Sequence, residues 1–225
     1  TSGEQPLVDP ATGVMVVCNG EIDNHGVLRE WLAERGRPVE QDTDVAVLPG
    51  LYLELGEAFV ERLVGAFAIA VWDPREAKLL LVRDRAGERP LFFALENGKA
   101  TFASQLAAMA VRDATMPALD TPALQRYLQL GYFSAPDSPL AGVVKVGPAE
   151  CVTLSRDGVR TRRYWRWRDG VSPYTDHSID AFDTLFRAAV LRQSEVDVPV
   201  GLFLSGGVDS SLIAAVTRSL HPDKS

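Results

Sequence analysis

The stretch that decides the fold near the C-terminus reads Val198-Pro199-Val200-Gly201-Leu202-Phe203-Leu204-Ser205-Gly206-Gly207-Val208-Asp209-Ser210-Ser211. An apolar run that ends in a glycine turn and then opens a helix is typical of a buried strand followed by an anion-binding loop. The reason is that the first N–H groups of a helix lack backbone partners and point at one spot. Residues 212–216 continue as the expected apolar helix. The stretch therefore predicts an α/β unit that binds the phosphates of a nucleotide.

The side chains of this loop suit ATP and a magnesium ion. Gly206 and Gly207 allow a phosphate to approach the backbone without a Cβ in the way. Ser205 and Ser210 offer hydroxyl donors, and Asp209 can bind a Mg²⁺ that bridges phosphate oxygens. The loop is not a Walker loop, because no Gly-Lys-Ser/Thr follows the glycines. The alternative is a serine-glycine turn that only caps an ordinary helix.

Length, composition and charge narrow the function classes. The 225 residues allow one large domain or two smaller ones, and 46% hydrophobic with 24% charged residues is an ordinary globular composition. A net charge of −7 disfavours a broad nucleic-acid or acidic-membrane surface. No apolar run approaches the roughly 20 residues that span a bilayer. We expect a cytoplasmic protein that acts on small molecules, with Cys18 and Cys151 reduced and buried.

The pattern changes along the chain and predicts two domains. Short apolar runs joined by turns give antiparallel strands at 13–18, 66–72, 78–82, 91–94, 101–103, 142–146, 150–154 and 159–167, with helices at 24–36 and 121–130. A further helix begins near Thr43, and Pro49-Gly50 is expected to kink or break it. A helix over 178–194 then leads to the apolar run and the loop. We therefore predict a first domain at 1–167, a linker at 168–177 and a second domain at 178–225.

A second group of candidate residues lies near the N-terminus. Asn19-Gly20-Glu21 follows the predicted strand 13–18. An Asn amide and the neighbouring Gly N–H are the donor pair that an oxyanion hole needs, because both can point at one oxygen that gains negative charge. Glu21 and Asp42 could receive the ammonium group of an amino-acid substrate. The residues alone leave open that these carboxylates are surface groups, or that Asp42 caps a helix at Thr43.

The two groups together resemble one family, glutamine-hydrolysing asparagine synthetase, over the whole chain. Two unrelated sites, one for amide hydrolysis and one for ATP, occur here in the order of that family. The resemblance rests on the following runs: Gln5-Pro6-Leu7, Asn19-Gly20-Glu21-Ile22-Asp23-Asn24-His25, Asp42-Thr43-Asp44-Val45, Gly65-Ala66-Phe67-Ala68, Trp72-Asp73, Arg83-Asp84-Arg85-Ala86-Gly87-Glu88-Arg89-Pro90-Leu91, Phe102-Ala103-Ser104, Gly131-Tyr132, Arg163-Tyr164-Trp165 and Asp197-Val198-Pro199-Val200-Gly201, then the loop.

The resemblance implies an α+β sandwich, the class II glutamine amidotransferase fold of antiparallel sheets with helices, followed by the start of an α/β ATP-pyrophosphatase domain. In this family an N-terminal cysteine releases ammonia from glutamine. Aspartate is amidated through an acyl-adenylate, with release of AMP and pyrophosphate. By motif, Asn19 and Gly20 would form the oxyanion hole, and Glu21 and Asp42 would bind glutamine. ATP would be bound by Leu204, Ser205, Gly206, Gly207, Val208, Asp209 and Ser210, with Asp209 as the Mg²⁺ ligand. A homodimer is implied by resemblance alone.

Several positions depart from the family pattern. The chain begins at Thr1, after the expected positions of the nucleophilic cysteine and of an arginine for the glutamine carboxylate, and it stops soon after the loop. We therefore expect an internal fragment that is inactive alone. Cys18 cannot replace the nucleophile, because it has no free α-amino group. The departures Asp23, Ala86 and Gln105 point to a divergent member with a different acceptor acid.

Two alternative functions of the parent protein remain open. The parent protein could be a related adenylating ligase, such as a β-lactam synthetase or a peptide-cyclising enzyme, which keeps the ATP loop. It could also be a non-catalytic relative that binds nucleotide or glutamine as a regulatory module. A Met-Cys-Gly sequence ahead of Thr1 would favour glutamine hydrolysis over both.

Overall fold

The structure is a computed structural model that describes residues 4–111, 117–168, 179–194 and 201–222. The chain divides into two compact units, residues 1–169 and 170–225. The predicted linker at 168–177 lies outside the described residues except for Arg168. Each unit is described by itself below.

The first unit contains two antiparallel sheets. Its strands are β1 (Leu7–Val8), β2 (Met15–Ile22), β3 (Gly65–Asp73), β4 (Lys78–Arg83), β5 (Phe92–Glu96), β6 (Lys99–Ala103), β7 (Val144–Lys145), β8 (Glu150–Ser155) and β9 (Gly158–Arg163). One sheet has six strands in the order β1-β2-β3-β4-β8-β9, and the other has three in the order β6-β5-β7. All paired strands that form these sheets are antiparallel, as the hairpin pattern predicts.

Helices cover the outer faces of the sheets. Before β3 come α1 (His25–Ala33), a 3₁₀ turn (Asp44–Val47), α2 (Leu48–Leu55) and a longer 3₁₀ segment (Gly56–Arg62); between β6 and β7 come α3 (Leu106–Ala110) and α4 (Thr121–Leu130). Pro49 lies in the first turn of α2. The helical segment that begins after Thr43 is therefore broken just before Pro49, as predicted: the 3₁₀ turn ends at Val47, and Pro49, whose missing N–H has no intrahelical partner to lose in a first turn, helps to start α2.

The alternation of β3 builds the sandwich. Phe67, Ile69 and Val71 point into a core shared with helices α1 and α2. Ala68 and Ala70 lie on the opposite face, in the core between the two sheets. Because successive side chains of a strand alternate between faces, one strand supplies both cores. Each fully buried aliphatic or aromatic side chain contributes about 1.5–3 kcal/mol, so both cores stabilise the first unit.

The second unit contains two helices among its described residues, α5 (Ile179–Ser194) and α6 (Val208–Leu220). Residues 201–205 form no strand, and Phe203 is fully exposed. The predicted buried strand is therefore not seen at 201–204, and residues 198–200 lie outside the described part. A parallel strand needs neighbours to pair its backbone and cover its side chains. The described residues of this unit supply none.

None of the helices in the described ranges is both long and apolar enough to cross a membrane.

Candidate functional site

The run Asn19-Gly20-Glu21 lies inside β2 rather than after it. The strand extends to Ile22, and its register with β3 pairs Asn19 with Ala68, Gly20 with Phe67 and Glu21 with Ala66. The strand predicted from the sequence ends at Cys18, four residues before the true end of β2 at Ile22. The longer strand holds the backbone of the run in a fixed register against β3.

Gly20 has a backbone conformation that other residues avoid. Its φ is +147°, and a Cβ at this position would lie 2.0 Å from the carbonyl oxygen of Ala66. Gly65, which pairs with Ile22, has a φ of +149°, and a Cβ there would lie 2.1 Å from the carbonyl oxygen of Glu21. Two glycines therefore let β2 and β3 approach closely beside Asn19.

A cavity of about 350 Å³ adjoins Asn19, and we call it the sheet slot. Its walls come from both sheets, and its lining includes Val17, Asn19, Ala68, Ala70, Phe102 and Gln105. Ala68 and Ala70 make room for the slot because their side chains are short. The slot is mostly apolar with a few polar groups, as small-molecule sites usually are.

One side of the sheet slot is formed by β6 and the residues that follow it. In its sheet β6 pairs with β5 on one side, and among the described residues no strand pairs with its other side. Gln105, which departs from the family pattern, lines the slot. Of the three departures named above, Gln105 therefore lies where it can contact a ligand bound in the slot.

The carboxylate that the structure brings to the end of β2 is Asp44, not Asp42. The backbone N–H of Ile22 donates to Asp44 Oδ2 at 2.8 Å, which places Asp44 next to Glu21. Asp42 is exposed, and none of the hydrogen bonds or ion pairs described for the chain involves it. No described contact joins Glu21 to Asp42, so their pairing as glutamine ligands stays a prediction, and Asp44 is a carboxylate at this strand end that the sequence prediction did not name. The signal was present, since Asp44 belongs to the same quoted run.

Cys18 points away from Asn19. Its side chain packs against the core that β2 shares with the helices, whereas Asn19 lies on the face of the sheet slot. Burial raises the pKa of the Cys18 thiol to about 12, and the carboxylate of Asp44 adds to the effect. Burial likewise raises the pKa of Cys151 to about 12. A thiol needs its thiolate form to attack, so both cysteines are structural.

Asp84 shapes the loop that enters the sheet slot. Its carboxylate, which is buried, accepts the backbone N–H groups of Gly87 at 2.6 Å, Glu88 at 3.0 Å and Arg89 at 3.0 Å. Arg83 donates to the carbonyl oxygens of Arg89, Val146 and Gly87 at 2.8, 2.7 and 2.6 Å. These bonds fix residues 84–91, and Leu91 lines the slot.

The predicted phosphate loop begins α6. Gly207 is its N-cap residue, Gly206 has a φ of +81°, and Asp209 lies in the first turn. Ser205 Oγ lies 3.1 Å from Ser210 Oγ, and Ser210 Oγ donates to the carbonyl oxygen of Gly207 at 3.2 Å. The glycine conformation and the helix N-terminus fit an anion. One exposed carboxylate fits a Mg²⁺ that takes its other ligands from phosphates and water. Leu204 and Val208 are exposed beside the loop.

Comparison with protein families decides the class of the first unit. A family model described as glutamine amidotransferase domain matches residues 1–165. The chain belongs to this family. A second family model, described as asparagine synthase, matches residues 181–224. The amidotransferase domain of the chain is thus followed by a segment of the asparagine synthase family.

Curated relatives are glutamine-hydrolysing asparagine synthetases. One, numbered 3 in Bacillus subtilis (strain 168), is 35% identical over 95% of this chain and 36% of the relative. Another, numbered 2 in Arabidopsis thaliana, is 33% identical over 100% of the chain and 34% of the relative. The resemblance stated from the motifs is confirmed. The chain spans about a third of the length of these relatives.

Solved structures confirm the fold class. The glutamine phosphoribosylpyrophosphate amidotransferase of B. subtilis, in complex with ADP and GMP, matches 72% of this chain and 32% of its own. The TM-score is 0.52 at 20% identity. The antiparallel sandwich with helices of the glutamine amidotransferase domain is therefore the fold that the sequence predicted.

Proposed function

We propose that the amidotransferase domain binds and hydrolyses glutamine in the sheet slot, beside Asn19, which is one of its lining residues. The observation that carries this proposal is the conformation of Gly20, which tolerates no Cβ and lies between Asn19 and Glu21. In this proposal the Asn19 amide and the Gly20 N–H stabilise the oxyanion that forms as the amide carbon of glutamine is attacked.

The substrate ammonium group would be bound by carboxylates at the end of β2. We propose Glu21 together with Asp44 in place of Asp42, because Asp44 contacts the backbone of Ile22 next to Glu21. Neither cysteine of the chain suits the nucleophile. We propose that the nucleophile is an N-terminal cysteine of a longer form of the protein, as in the family.

The loop at 204–210 is proposed to bind ATP. Backbone N–H groups at the start of α6 and the hydroxyls of Ser205 and Ser210 would contact phosphate oxygens. Asp209 would bind Mg²⁺, which neutralises phosphate charge and orients the α-phosphorus for attack. The carboxylate of the acceptor acid would attack the α-phosphorus and displace pyrophosphate, and ammonia would then displace AMP from the acyl-adenylate.

The whole protein is then proposed to be an ATP-dependent ligase that amidates aspartate, or another carboxylate acceptor, with ammonia from glutamine. The names of the curated relatives support this reading. The acyl-adenylate step, the aspartate substrate, Mg²⁺, a cytoplasmic location and a homodimer belong to the proposal. No nucleic-acid or membrane partner is part of it.

The glutamine half is tested with the protein in its full natural length, by measuring ammonia release from glutamine. We expect Asn19→Ala to lower kcat about 10²–10³-fold with a smaller change in KM, the size of effect seen when one oxyanion donor is removed. Asn97→Gly is the matched control, because Asn97 lies in the β5–β6 turn and glycine accepts its φ of +51°. Glutamine binding without hydrolysis in the unaltered protein would instead favour the non-catalytic relative.

The ATP half has its own test. We expect Asp209→Ala to abolish pyrophosphate release and to leave ammonia release from glutamine intact. Asp180→Ala is the matched control, because Asp180 also lies in the first turn of a helix, α5. Pyrophosphate release unchanged by Asp209→Ala would refute the role of Asp209. Testing aspartate against other carboxylic acids in the same assay would identify the acceptor.

A further inference from the structure

Arg29 fixes the segment that carries Asp44. The guanidinium of this α1 residue donates from Nη1 to the carbonyl oxygens of Val39 at 2.8 Å and Gln41 at 2.9 Å, and from Nη2 to that of Thr43 at 3.1 Å. The three acceptors are alternate residues, whose carbonyls point the same way in an extended chain. The planar fork of arginine matches such a row of acceptors, whereas a lysine ammonium does not.

The segment has few other backbone contacts. Residues 37–43 form no helix or strand, and they connect α1 to the 3₁₀ turn that begins at Asp44. After Asp44 in the chain, Val45 and Val47 anchor this turn, because both are buried in the core. Before Asp44 in the chain, a hydrogen bond from Arg29 holds the carbonyl of Thr43, the residue directly before Asp44.

The other end of this connection is the proposed substrate site. Asp44 accepts the backbone N–H of Ile22 at 2.8 Å, one residue beyond Glu21. A displacement of Thr43 would therefore move the Asp44 carboxylate relative to Glu21. Arg29 itself belongs to a different element and lines no part of the sheet slot.

We propose that Arg29 is a positioning residue for substrate binding: through the carbonyls of Val39, Gln41 and Thr43 it sets the place of Asp44 beside Glu21. This proposal rests on the proposed glutamine site. It assigns Arg29 to recognition of the substrate ammonium group and not to the chemical step at Asn19 and Gly20. Arg29 should therefore influence KM for glutamine more than kcat.

The test compares Arg29→Ala and Arg29→Lys with Arg35→Ala in the full-length protein. Arg35 is a second arginine, just after α1; it stacks on Trp31 at 3.7 Å and donates to the carbonyl of Trp31 at 3.2 Å, and none of its described contacts is with residues 39–43. We expect Arg29→Ala to raise KM for glutamine about tenfold with kcat within about twofold, and Arg29→Lys to fall between it and the unaltered protein. Arg35→Ala should change neither constant.

Amide hydrogen exchange of Ile22 gives a second readout that needs no activity. Its N–H is protected by the bond to Asp44, so we expect exchange to quicken about tenfold in Arg29→Ala and not in Arg35→Ala. Unchanged exchange, or a fall in kcat at constant KM, would overturn the positioning role. If the unaltered protein hydrolyses no glutamine, the proposed function fails while Ile22 exchange still decides the role of Arg29. Should Arg29→Ala not fold, Arg29→Lys supplies the same two readouts.

Discussion

A Cβ on Gly20 would lie 2.0 Å from the carbonyl oxygen of Ala66 on the neighbouring strand. No real Cβ approaches a backbone oxygen so closely, and both atoms belong to paired strands that cannot easily separate. The close approach of β2 and β3 thus depends on a glycine at this position.

Gly20→Ala should destabilise the first unit by about 3 kcal/mol or more, because it adds a backbone clash to a strained φ. Urea unfolding followed by circular dichroism measures the loss. Gly26→Ala is the matched control: Gly26 lies in α1, and a Cβ there meets nothing within 4 Å. The control should be neutral or stabilising by about 0.5–1 kcal/mol, since alanine favours helices. Equal stability of Gly20→Ala and the unaltered protein would contradict the strand geometry.

The choice between Asp44 and Asp42 can be decided by two conservative variants. Asp44→Asn keeps an acceptor for the Ile22 N–H but removes the negative charge, so KM for glutamine should rise about tenfold or more with little change in kcat. Asp42→Asn should leave both constants unchanged, because Asp42 is exposed and none of the described hydrogen bonds or ion pairs involves it. The reverse result would restore the pair predicted from sequence.

Local patterns predicted the antiparallel strands of the first unit, whereas the sandwich was expected from the family resemblance. In β3 the alternation of Phe67, Ile69 and Val71 with Ala68 and Ala70 is visible in the sequence, and it fixes both faces of the sheet. Asn97-Gly98 is a typical type I′ turn sequence, and in the β5–β6 turn both residues have the positive φ that this turn needs.

The features that sequence reasoning missed depend on contacts between distant residues. Asp42 and Asp44 both belong to one polar run, and nothing local in that run shows that Asp44 accepts the N–H of Ile22 or that Arg29 bonds to the carbonyls of Val39 and Thr43. The apolar run before Ser205 has the composition of a buried strand, but burial needs neighbouring strands that residues 201–222 and 179–194 do not provide. Composition alone cannot supply such partners.

The two cysteines should react slowly in the folded chain. Burial raises the pKa of both thiols to about 12, so the thiolate fraction at pH 8 is far smaller than in an unfolded chain. We expect iodoacetamide to label Cys18 and Cys151 at least about a hundredfold more slowly in buffer than in urea, as followed by mass spectrometry. Rapid labelling of Cys18 in buffer would contradict its assignment to the core. Cys18→Ala in the full-length protein should also leave ammonia release from glutamine unchanged.

Asp73 should make the first unit less stable in acid. Hydrogen bonds from the Arg75 side chain, and then one from the Tyr52 hydroxyl, lower its pKa from 3.8 to about 2. A folded-state pKa below the unfolded value means that the carboxylate stabilises the fold above about pH 4 and that this contribution is lost as the pH falls toward 2.

Asp73→Asn removes this titration while keeping the size of the side chain. Urea unfolding of the variant and the unaltered chain from pH 7 to pH 2 should show a difference in the free energy of unfolding that is largest at neutral pH and shrinks below about pH 4. In an Arg75→Ala background the pH dependence of that difference should weaken, because the main cause of the low pKa is gone. A difference independent of pH in both backgrounds would show that Asp73 acts by packing and not by its charge.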